Sequence, residues 1–403
     1  MLFPIKVIFY KLLMAVLKVL IKFVPQPPPL LYTGENSALA MSGQIGMLGY
    51  RKVLIVTDKV LVGLGVCRGI CDSLRSQGIE YVIFDGVMPD PLDTIVQEGS
   101  DTYAAQSCDC VLGLGGGSSL DAAKMIAALA AHPNKSVKQL SGILKFKRKA
   151  KPLFLVPSTA GTGSEVTAAA VISNSLTHEK MLVVDPKMMA QSAAIDPIIM
   201  QGMPPKITAE TGIDALTHAI ESYVSGHRTA ATDAHSEMAI KLLFNNLELC
   251  YSNGNNLPAR KAVALASTYA GLAFSHANLG YVHAIAHQLG RVYQVPHGLA
   301  NALVLPHVLD YSEVACRNRF AKLAMLIGLD TQGKNEHQLS LEFIASVRSL
   351  LQRLNIPNTL DKLNADDIDS LAKSALKEAH YLYPVPRYMT QKSCQHIIGL
   401  LLV

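Results

Sequence analysis

One aspartate and four histidines in the second half of the chain have the types and spacing of a metal-binding site. Asp214 and His218 are four residues apart, as are His283 and His287, so each pair shares one face of a helix. His297 follows in a predicted loop. A carboxylate and several imidazoles, presented by two rigid helices and a loop, supply the oxygen and nitrogen donors that a divalent transition metal binds. The alternative is that these histidines are ordinary polar residues with partners of their own.

A glycine-rich stretch, GLGGGSSLDAAK at residues 113–124, lies between a predicted strand and a predicted helix. Because glycines lack a Cβ atom, the backbone N–H groups of this loop can approach a phosphate, and the start of a helix adds a favourable dipole. Ser118 or Ser119 is placed to cap this helix and to offer a hydroxyl. The stretch is not the GxGxxG dinucleotide fingerprint, so a tight turn without a ligand is the alternative.

A second polar loop, PSTAGTGSEVT at residues 157–167, also follows a predicted strand. We predict that it bonds the phosphate and nicotinamide ends of a cofactor; a simple surface loop is the alternative. Asp58 stands at the carboxyl end of the first core strand, where it is placed to bond ribose hydroxyls or to serve only as a turn residue. An acid there would repel a 2′-phosphate, which favours NAD over NADP.

The segments around these loops follow an α/β pattern. Short apolar strands within residues 50–59, 79–87, 108–117 and 152–159 alternate with helical segments, which predicts a parallel sheet with right-handed crossovers. Its ligand is expected beyond the carboxyl ends of the strands. Residues 160–173 and 179–186 resemble a hairpin-like excursion, and residues 192–197 a last short strand.

The character of the chain changes at the MPP segment, residues 203–205, after which we predict helices from Thr208 to the C-terminus. The chain therefore divides into a basic N-terminal extension with a proline-rich linker at 1–30, an α/β NAD-binding domain at 31–203 and an all-helical metal-binding domain at 204–403.

The composition is that of a well-buried globular enzyme, since half the residues are apolar, 17% are charged and tryptophan is absent. The net charge of +5 comes largely from Lys6, Lys11, Lys18 and Lys22, without which basic and acidic residues number 32 and 31. Nothing in this balance calls for a nucleic-acid partner. The seven cysteines form neither a zinc-type CxxC pair nor a disulfide framework, which predicts a reduced, cytoplasmic protein.

The first 24 residues are apolar but carry a lysine about every fifth position, so they contain no clean spanning segment of about 20 residues. At 100° per residue Lys11, Lys18 and Lys22 share one face, which predicts a basic amphipathic helix able to lie on an anionic membrane surface. We favour the alternative that its apolar face packs on the protein body or on a second subunit. The PQPPP segment that follows is typical of a stiff linker and not of a signal-peptide cleavage site.

Several of these motifs together resemble those of the iron-dependent (group III) alcohol dehydrogenases. They are TDK at 57–59, GGGSSLDAAK at 115–124, PSTAGTGSEVT at 157–167, MPPKITAETGIDALTHAIESY at 203–223, GYVHAIAHQLG at 280–290 and PHGLANALVLPH at 296–307. The resemblance runs from about Leu31 to the C-terminus. It implies a dinucleotide-binding α/β domain followed by an all-helical domain, in a dehydroquinate synthase-like architecture.

The resemblance also implies roles for individual residues. Asp214, His218, His283 and His297 match the four metal ligands, and His287 matches a catalytic histidine near the substrate and the nicotinamide. The implied cofactor-binding residues are Asp58, Asp90, Gly115, Gly116, Gly117, Ser118, Ser119, Asp121, Ser158, Thr159, Thr162, Thr167 and Lys180. Two features depart from the family pattern: it often has asparagine at the position of Asp90, and the first 24 residues lie outside its common core.

We therefore predict a homo-oligomeric enzyme, a homodimer, that transfers hydride reversibly between NAD(H) and a primary alcohol or its aldehyde. Fe²⁺, with Zn²⁺ as the alternative, would act as a Lewis acid on the substrate oxygen. His287 and the ribose hydroxyls of the cofactor would pass the proton to solvent.

Three other functions compete with this prediction. The first is a related polyol, 1,2-diol, glycerol or hydroxyacid oxidoreductase, which differs only in the substrate pocket. The second is a lyase of the dehydroquinate synthase kind, which needs a Lys- and Arg-rich phosphate site near the metal; the metal-binding segments contain only Arg291. The third is a non-enzymatic, membrane-associated role that would depend on the N-terminal helix alone.

Overall fold

The structure is a computed structural model that describes residues 2–21, 27–177 and 179–403. These residues divide into two compact units, which we call the sheet unit, within Pro25–Met203, and the helical unit, within Met1–Val24 and Pro204–Val403. The first helix, α1 (Leu2–Ile21), belongs to the helical unit. Lys22 and the first two residues of the predicted PQPPP linker lie outside the described residues.

The sheet unit is built from short strands and helices in alternation, as the sequence predicts. Its strands are β1 (Leu30–Thr33), β2 (Lys52–Val56), β3 (Glu80–Phe84), β4 (Cys110–Gly115), β5 (Gly142–Ile143), β6 (Leu153–Pro157), β7 (Ala169–Ser173), β8 (Lys180–Val184) and β9 (Ser192–Ile195). Its helices are α2 (Ser37–Met47), α3 (Lys59–Gly63), α4 (Arg68–Ser76), α5 (Asp93–Ala105), α6 (Gly117–Ala131) and α7 (Val137–Leu140).

Six of these strands form one parallel sheet in the order β1-β9-β6-β4-β2-β3. Successive side chains of a strand point to opposite faces, and both faces of this sheet are buried. Leu54 and Val56 of β2 belong to one apolar core, whereas Val53 and Ile55 belong to the other. The predicted parallel α/β class is therefore confirmed.

The register of the two central strands positions the predicted cofactor loops. β4 and β6 are neighbours, and Gly115 at the end of β4 pairs with Pro157 at the end of β6. Because both strands run in the same direction, the loops that follow them leave the same edge of the sheet. The Ser158 N–H donates to the Gly115 carbonyl oxygen over 2.8 Å, which ties the two loops together where they begin.

A second sheet contains the predicted hairpin: β7 and β8 pair antiparallel, and β5 joins β8 in parallel. β1 and α2 were not predicted from the sequence. β1 is a four-residue strand that pairs with β9, the last strand in the chain, so only a distant segment gives it a partner. Local periodicity carries no signal for such a pairing.

The helical unit contains no strand among the residues that the structure describes. Besides α1, its helices are α8 (Pro205–Val224), α9 (Ala230–Ser252), α10 (Leu257–Ala277), α11 (Tyr281–Tyr293), α12 (His297–Leu326), α13 (Glu336–Arg353), α14 (Ile368–Leu382) and α15 (Gln391–Gly399). α8 packs against α9, α10 and α12, and nearly every residue from Thr208 to Tyr223 is buried. α8 is thus the central helix of this unit.

One face of α1 packs on the helical unit. Its buried residues are Tyr10 and Met14, and the Tyr10 ring lies 4.9 Å from the ring of His380 on α14. Two polar contacts fix the helix further: Lys18 Nζ donates to the Gly226 carbonyl oxygen over 2.8 Å, and His227 Nε2 donates to the Met14 carbonyl oxygen over 2.9 Å. In the described part of the chain, no helix combines the length and the apolar character needed to cross a membrane.

Candidate active site

The central helix α8 presents the first half of the candidate metal centre. It begins with proline at its first position, where the missing N–H costs no helical hydrogen bond. Asp214 and His218 lie one turn apart on this helix, and both side chains are almost fully buried. Their spacing predicts this shared face, and the structure places the Asp214 carboxylate 3.9 Å from His218 Nε2.

Two further helices bring the other histidines to α8. His283 lies in the first turn of α11, and His297 is the first residue of α12. The prediction that His297 lies in a loop is therefore wrong, because Pro296 ends the loop and starts the helix. Gly298, the residue after His297, allows the start of α12 to lie close to α8, since a Cβ atom on Gly298 would lie 2.3 Å from the carbonyl oxygen of Glu210.

The four predicted ligands converge on one point. One donor atom from each of Asp214, His218, His283 and His297 lies within 4.8 Å of all the others. Asp214 Oδ1 is 3.6 Å from His283 Nε2 and 3.4 Å from His297 Nε2. Two ligands that each lie about 2.1 Å from one metal ion are roughly 3 to 4 Å apart, so these separations fit a shared ion.

The side chain of Asn301 lies against three of the four predicted ligands. Its Nδ2 lies 2.7 Å from Asp214 Oδ1 and 3.2 Å from Nε2 of both His283 and His297. An amide nitrogen carries only two protons, so Asn301 cannot donate to all three atoms at once. The Asn301 Oδ1 atom is buried without a hydrogen-bond partner. One carboxylate and three imidazoles whose ligand atoms converge in this way are the ligand set of a divalent transition metal, so the residues present fit such an ion.

Glu221 orients one of the ligands, a role that the sequence analysis missed. Its buried carboxylate accepts a hydrogen bond from His283 Nδ1 over 2.6 Å and from the N–H groups of Gly280 and Val282 at the start of α11. The Nδ1 proton therefore faces Glu221, and Nε2 faces Asp214. The signal was present in the sequence, because Glu221 follows Asp214 by seven residues and so lies on the same face of α8.

We expect Glu221→Gln to lower the affinity for a divalent metal by about 10- to 100-fold, the usual effect of a residue that supports a ligand. The neutral amide keeps the size of the side chain but weakens its hold on the imidazole. Competition with a chelator of known affinity measures the change. Glu313→Gln is the matched control: Glu313 is equally buried but bonds Arg317 and Ser340 instead. Equal metal affinity in both variants would contradict the role of Glu221.

The buried charges set the protonation of the cluster. Burial alone raises the pKa of Asp214, but the surrounding histidines bring it well below its usual range. Burial lowers the pKa of His218 to about 3. For His283 burial acts in the same direction, but the carboxylates of Glu221 and Asp214 outweigh it and raise the pKa to about 9. At neutral pH His283 of the metal-free cluster thus carries a second proton, on Nε2, besides the Nδ1 proton that faces Glu221.

A metal ion must displace this proton, so metal binding is expected to weaken as the pH falls. Below the pKa of about 9 for His283, the affinity should fall by about tenfold for each pH unit, since one proton is released for each ion bound. Titration with Zn²⁺ in two buffers of different ionisation enthalpy measures the number of protons released. An affinity that is constant across neutral pH would contradict this protonation state.

His287, the predicted catalytic histidine, lies beside the four ligands. Its ring stacks on that of His297 with centroids 5.4 Å apart, and 37% of its side chain is exposed. Its Nδ1 donates to Glu378 Oε1 over 2.6 Å, and Tyr383 and Gln288 also donate to this carboxylate. The carboxylate therefore fixes the tautomer, with Nε2 of His287 as the acceptor. Glu378 lies 91 residues away on α14, and no local pattern pointed to it.

In the sheet unit, the structure brings the two predicted cofactor loops together. A Cβ atom on Gly117 would lie 2.8 Å from Thr162 Cγ2, and one on Gly116 would lie 3.5 Å from Thr159 Cγ2. The prediction that Ser118 or Ser119 caps α6 is wrong. Gly116 occupies the N-cap without a side-chain bond, because the helix begins two or three residues earlier than a serine cap would require.

A buried lysine holds these loops, and the sequence analysis gave it no role. Lys124 Nζ donates to Ser164 Oγ over 2.7 Å, to Thr167 Oγ1 over 3.0 Å and to the Ala169 carbonyl oxygen over 2.7 Å. Burial lowers the pKa of Lys124. Asp121 accepts from Ser164 Oγ and from the Val171 N–H. Asp121 and Thr167, both predicted to bind the cofactor, thus have structural partners within the protein.

The remaining predicted cofactor residues occupy two places. Asp58 is the N-cap of α3, and its Oδ1 accepts from the Leu61 N–H over 2.9 Å, which is the turn role considered as the alternative. Asp90 and Lys180 form an ion pair with each other at the surface. Asp90 has a φ of 56°, a left-handed conformation that asparagine and aspartate adopt more readily than other residues.

Comparison with known proteins agrees with this geometry. The family model described as iron-containing alcohol dehydrogenase matches residues 28–197, and that of the Fe-containing alcohol dehydrogenase family, C-terminal, matches residues 208–401. A 1,3-propanediol dehydrogenase from Klebsiella pneumoniae is 39% identical over 357 residues, or 88% of this chain and 92% of that protein. An NAD-dependent methanol dehydrogenase from Bacillus methanolicus is 36% identical over 353 residues, which cover 87% of this chain and 92% of that protein. The crystal structure of 1,3-propanediol oxidoreductase is similar with a TM-score of 0.90 at 37% identity, covering 94% of this chain and 99% of that one.

The chain belongs to the iron-containing alcohol dehydrogenase family. It is an oxidoreductase of the NAD-dependent alcohol dehydrogenase type, and the predictions of family, fold class and enzyme class are confirmed.

Proposed function

We propose that Asp214, His218, His283 and His297 hold the metal with which this protein catalyses reversible, NAD(H)-linked hydride transfer between a primary alcohol and its aldehyde. The observation that carries the proposal is the convergence of one ligand atom from each of these four residues, all within 4.8 Å of one another. Removal of the metal with a chelator should abolish aldehyde-dependent NADH oxidation, and adding the metal back should restore it. Full activity in protein verified to be metal-free would contradict the proposal.

Fe²⁺ is the proposed metal, and Zn²⁺ is the alternative. The donors are one carboxylate and three imidazoles, a set without thiolate that suits Fe²⁺, although Zn²⁺ binds such sites more tightly in general. The description of the matching family as iron-containing supports iron. Anaerobic reconstitution of the chelator-treated protein separates the two. If Zn²⁺ alone restores full activity and Fe²⁺ adds nothing, the iron assignment is wrong.

NAD is the proposed cofactor in preference to NADP. Asp58 follows β2, at the edge of the sheet where the two cofactor loops also begin. A carboxylate at this position favours ribose hydroxyls and repels a 2′-phosphate. The similar enzyme from Bacillus methanolicus is named as NAD-dependent. We expect kcat/KM to be higher with NADH than with NADPH, and the reverse order would contradict this role of Asp58.

The residues around the cluster have separate roles in the proposed reaction. Held by these residues, Fe²⁺ would supply a Lewis acid for the alcohol or aldehyde oxygen, and NAD would supply the hydride acceptor. Glu221 keeps Nε2 of His283 directed toward the cluster. His287 can take up or release a proton at Nε2, because Glu378 holds the proton on Nδ1. The partial exposure of His287 gives this proton a route to solvent.

We expect Glu378→Gln to lower kcat about tenfold, less than the roughly 100-fold or more that general acid–base catalysis contributes, because His287 itself remains, with little change in KM for NADH. Steady-state rates at a range of NADH concentrations separate the effect on kcat from any effect on KM. Glu248→Gln, which alters a surface ion pair with Arg353, is the control. A loss of thermal stability with an unchanged kcat would show that Glu378 is only structural.

A second candidate substrate is a 1,3-diol. The relative at 39% identity is named as a 1,3-propanediol dehydrogenase, and the alternative function predicted from the sequence was a diol oxidoreductase. Rates with 1,3-propanediol and with 1-propanol, measured side by side, distinguish the two. A kcat/KM that is much higher for 1,3-propanediol than for 1-propanol would show that the protein recognises the second hydroxyl of the substrate.

The cytoplasmic location and the homodimeric assembly stay predictions. All seven cysteines are buried and free, which supports a reducing compartment. Sedimentation of the purified protein would measure its assembly directly.

A further inference from the structure

The outward face of α1 is apolar and exposed. Its large apolar side chains recur at intervals of three or four residues, so they share one face of the helix. They are Ile5 at 63% exposure, Ile8 at 68%, Leu12 at 64%, Val16 at 49% and Val19 at 54%, with Phe9 at 54% beside them. A contiguous apolar surface of this kind marks an interaction site on a soluble protein.

Packing within the protein leaves this apolar face of α1 uncovered. α1 already uses its opposite face, with Tyr10 and Met14, to pack on the helical unit, and Lys18 fixes its end to Gly226. A helix that is apolar on both sides is expected to be covered on both sides. The family models match only from residue 28 onward, so α1 is an addition to the part of the chain that they describe.

The charges of α1 indicate what covers it. Lys6 and Lys11 are exposed, and together with Lys18 they are the charged side chains of Leu2–Ile21, which contains no acidic residue. Long lysine side chains beside an apolar face can place their ammonium groups at the level of lipid headgroups while their stems cover apolar surface. Tyr381 on α14, 46% exposed and 5.2 Å from the Tyr10 ring, adds an aromatic ring of the kind enriched at membrane interfaces.

We propose that α1 docks the protein on an anionic lipid surface, lying in the plane of the interface with the Ile8–Leu12 face buried. Cationic flanks without a compensating acid are complementary to anionic headgroups. They disfavour a second copy of the chain, because two-fold pairing of α1 helices would bring like charges together. This inference does not depend on the proposed catalytic function.

The test uses the full chain and two kinds of vesicle, pure phosphatidylcholine and an equal mixture of phosphatidylcholine and phosphatidylglycerol. We expect the protein to sediment with the mixed vesicles and not with the neutral ones, and added salt should weaken the binding. Ile8→Asp/Leu12→Asp should abolish it. Leu176→Asp/Met47→Asp, which alters two apolar residues that are 88% and 89% exposed elsewhere, should leave it unchanged.

A second variant keeps the proposal testable if the first variant misfolds. Lys6→Glu/Lys11→Glu changes only exposed side chains and should weaken binding to the mixed vesicles about tenfold or more, since each lysine adds to the attraction of an anionic surface. No binding by the natural sequence, or equal binding to both kinds of vesicle, would overturn the proposal. So would an oligomer that dissociates in the Ile8→Asp/Leu12→Asp variant while neither protein binds vesicles, because a second copy would then cover α1.

Discussion

Replacing His283 with alanine is expected to reduce NADH-linked activity to background and to remove the metal from the purified protein. His283 is 1% exposed and connects two carboxylates, with Nδ1 on Glu221 and Nε2 3.6 Å from Asp214. Its loss removes one of four donors and leaves the buried charge of Glu221 without its imidazole partner. The fall in metal affinity should exceed the roughly 100-fold limit typical of residues that only support a ligand.

The control for this variant is His276→Ala. His276 is also on a helix of the helical unit, but it is exposed and its ring bonds only the carbonyl oxygen of the preceding turn. We expect it to keep its metal and its activity. If His283→Ala retains both stoichiometric metal and activity, the assignment of the four ligands is wrong.

Replacing Gly115 with alanine is expected to weaken NADH binding by at least about tenfold, since misplacing a phosphate-binding loop costs more than about 1.4 kcal/mol of binding free energy. Gly115 has a φ of 151°, which residues with a side chain rarely adopt, and a Cβ atom would lie 2.5 Å from Ser119 Oγ. The loop must move to relieve this contact. Quenching of nicotinamide fluorescence measures the dissociation constant of NADH.

Gly43→Ala is the control, because Gly43 lies within α2 and a Cβ atom there meets nothing within 4 Å. It should bind NADH normally. The metal content of Gly115→Ala should also be normal, since all four predicted ligands lie in the helical unit. Unchanged NADH affinity in Gly115→Ala would contradict the role of this loop in cofactor binding.

Local periodicity predicted the parts of the fold and of the site that depend on near neighbours. The pairing of Asp214 with His218 follows from one helical turn, and the strands β2, β4 and β6 follow from short apolar runs. The resemblance to a known family added which distant segments belong to one site. Composition alone could not have predicted that α8 and α11 contribute residues to the same site.

The parts that sequence reasoning missed depend on contacts between distant residues. Glu378 accepts a hydrogen bond from His287, although it lies on a helix whose sequence shows no motif. Lys124 donates to Ser164, in a loop 40 residues later in the chain. The two local errors arose at helix starts. Proline before His297 looked like a loop, and the serines after Gly117 looked like caps, although a helix can begin directly at either place.

The most direct test of the account is an anaerobic screen of NADH oxidation over aldehydes of graded chain length, with metal content measured on the same sample. We predict NADH consumption with at least one short aldehyde, by protein that holds about one Fe²⁺ per chain at its single described cluster. No NADH consumption with any aldehyde or ketone, by folded protein with its metal in place, would contradict the central claim.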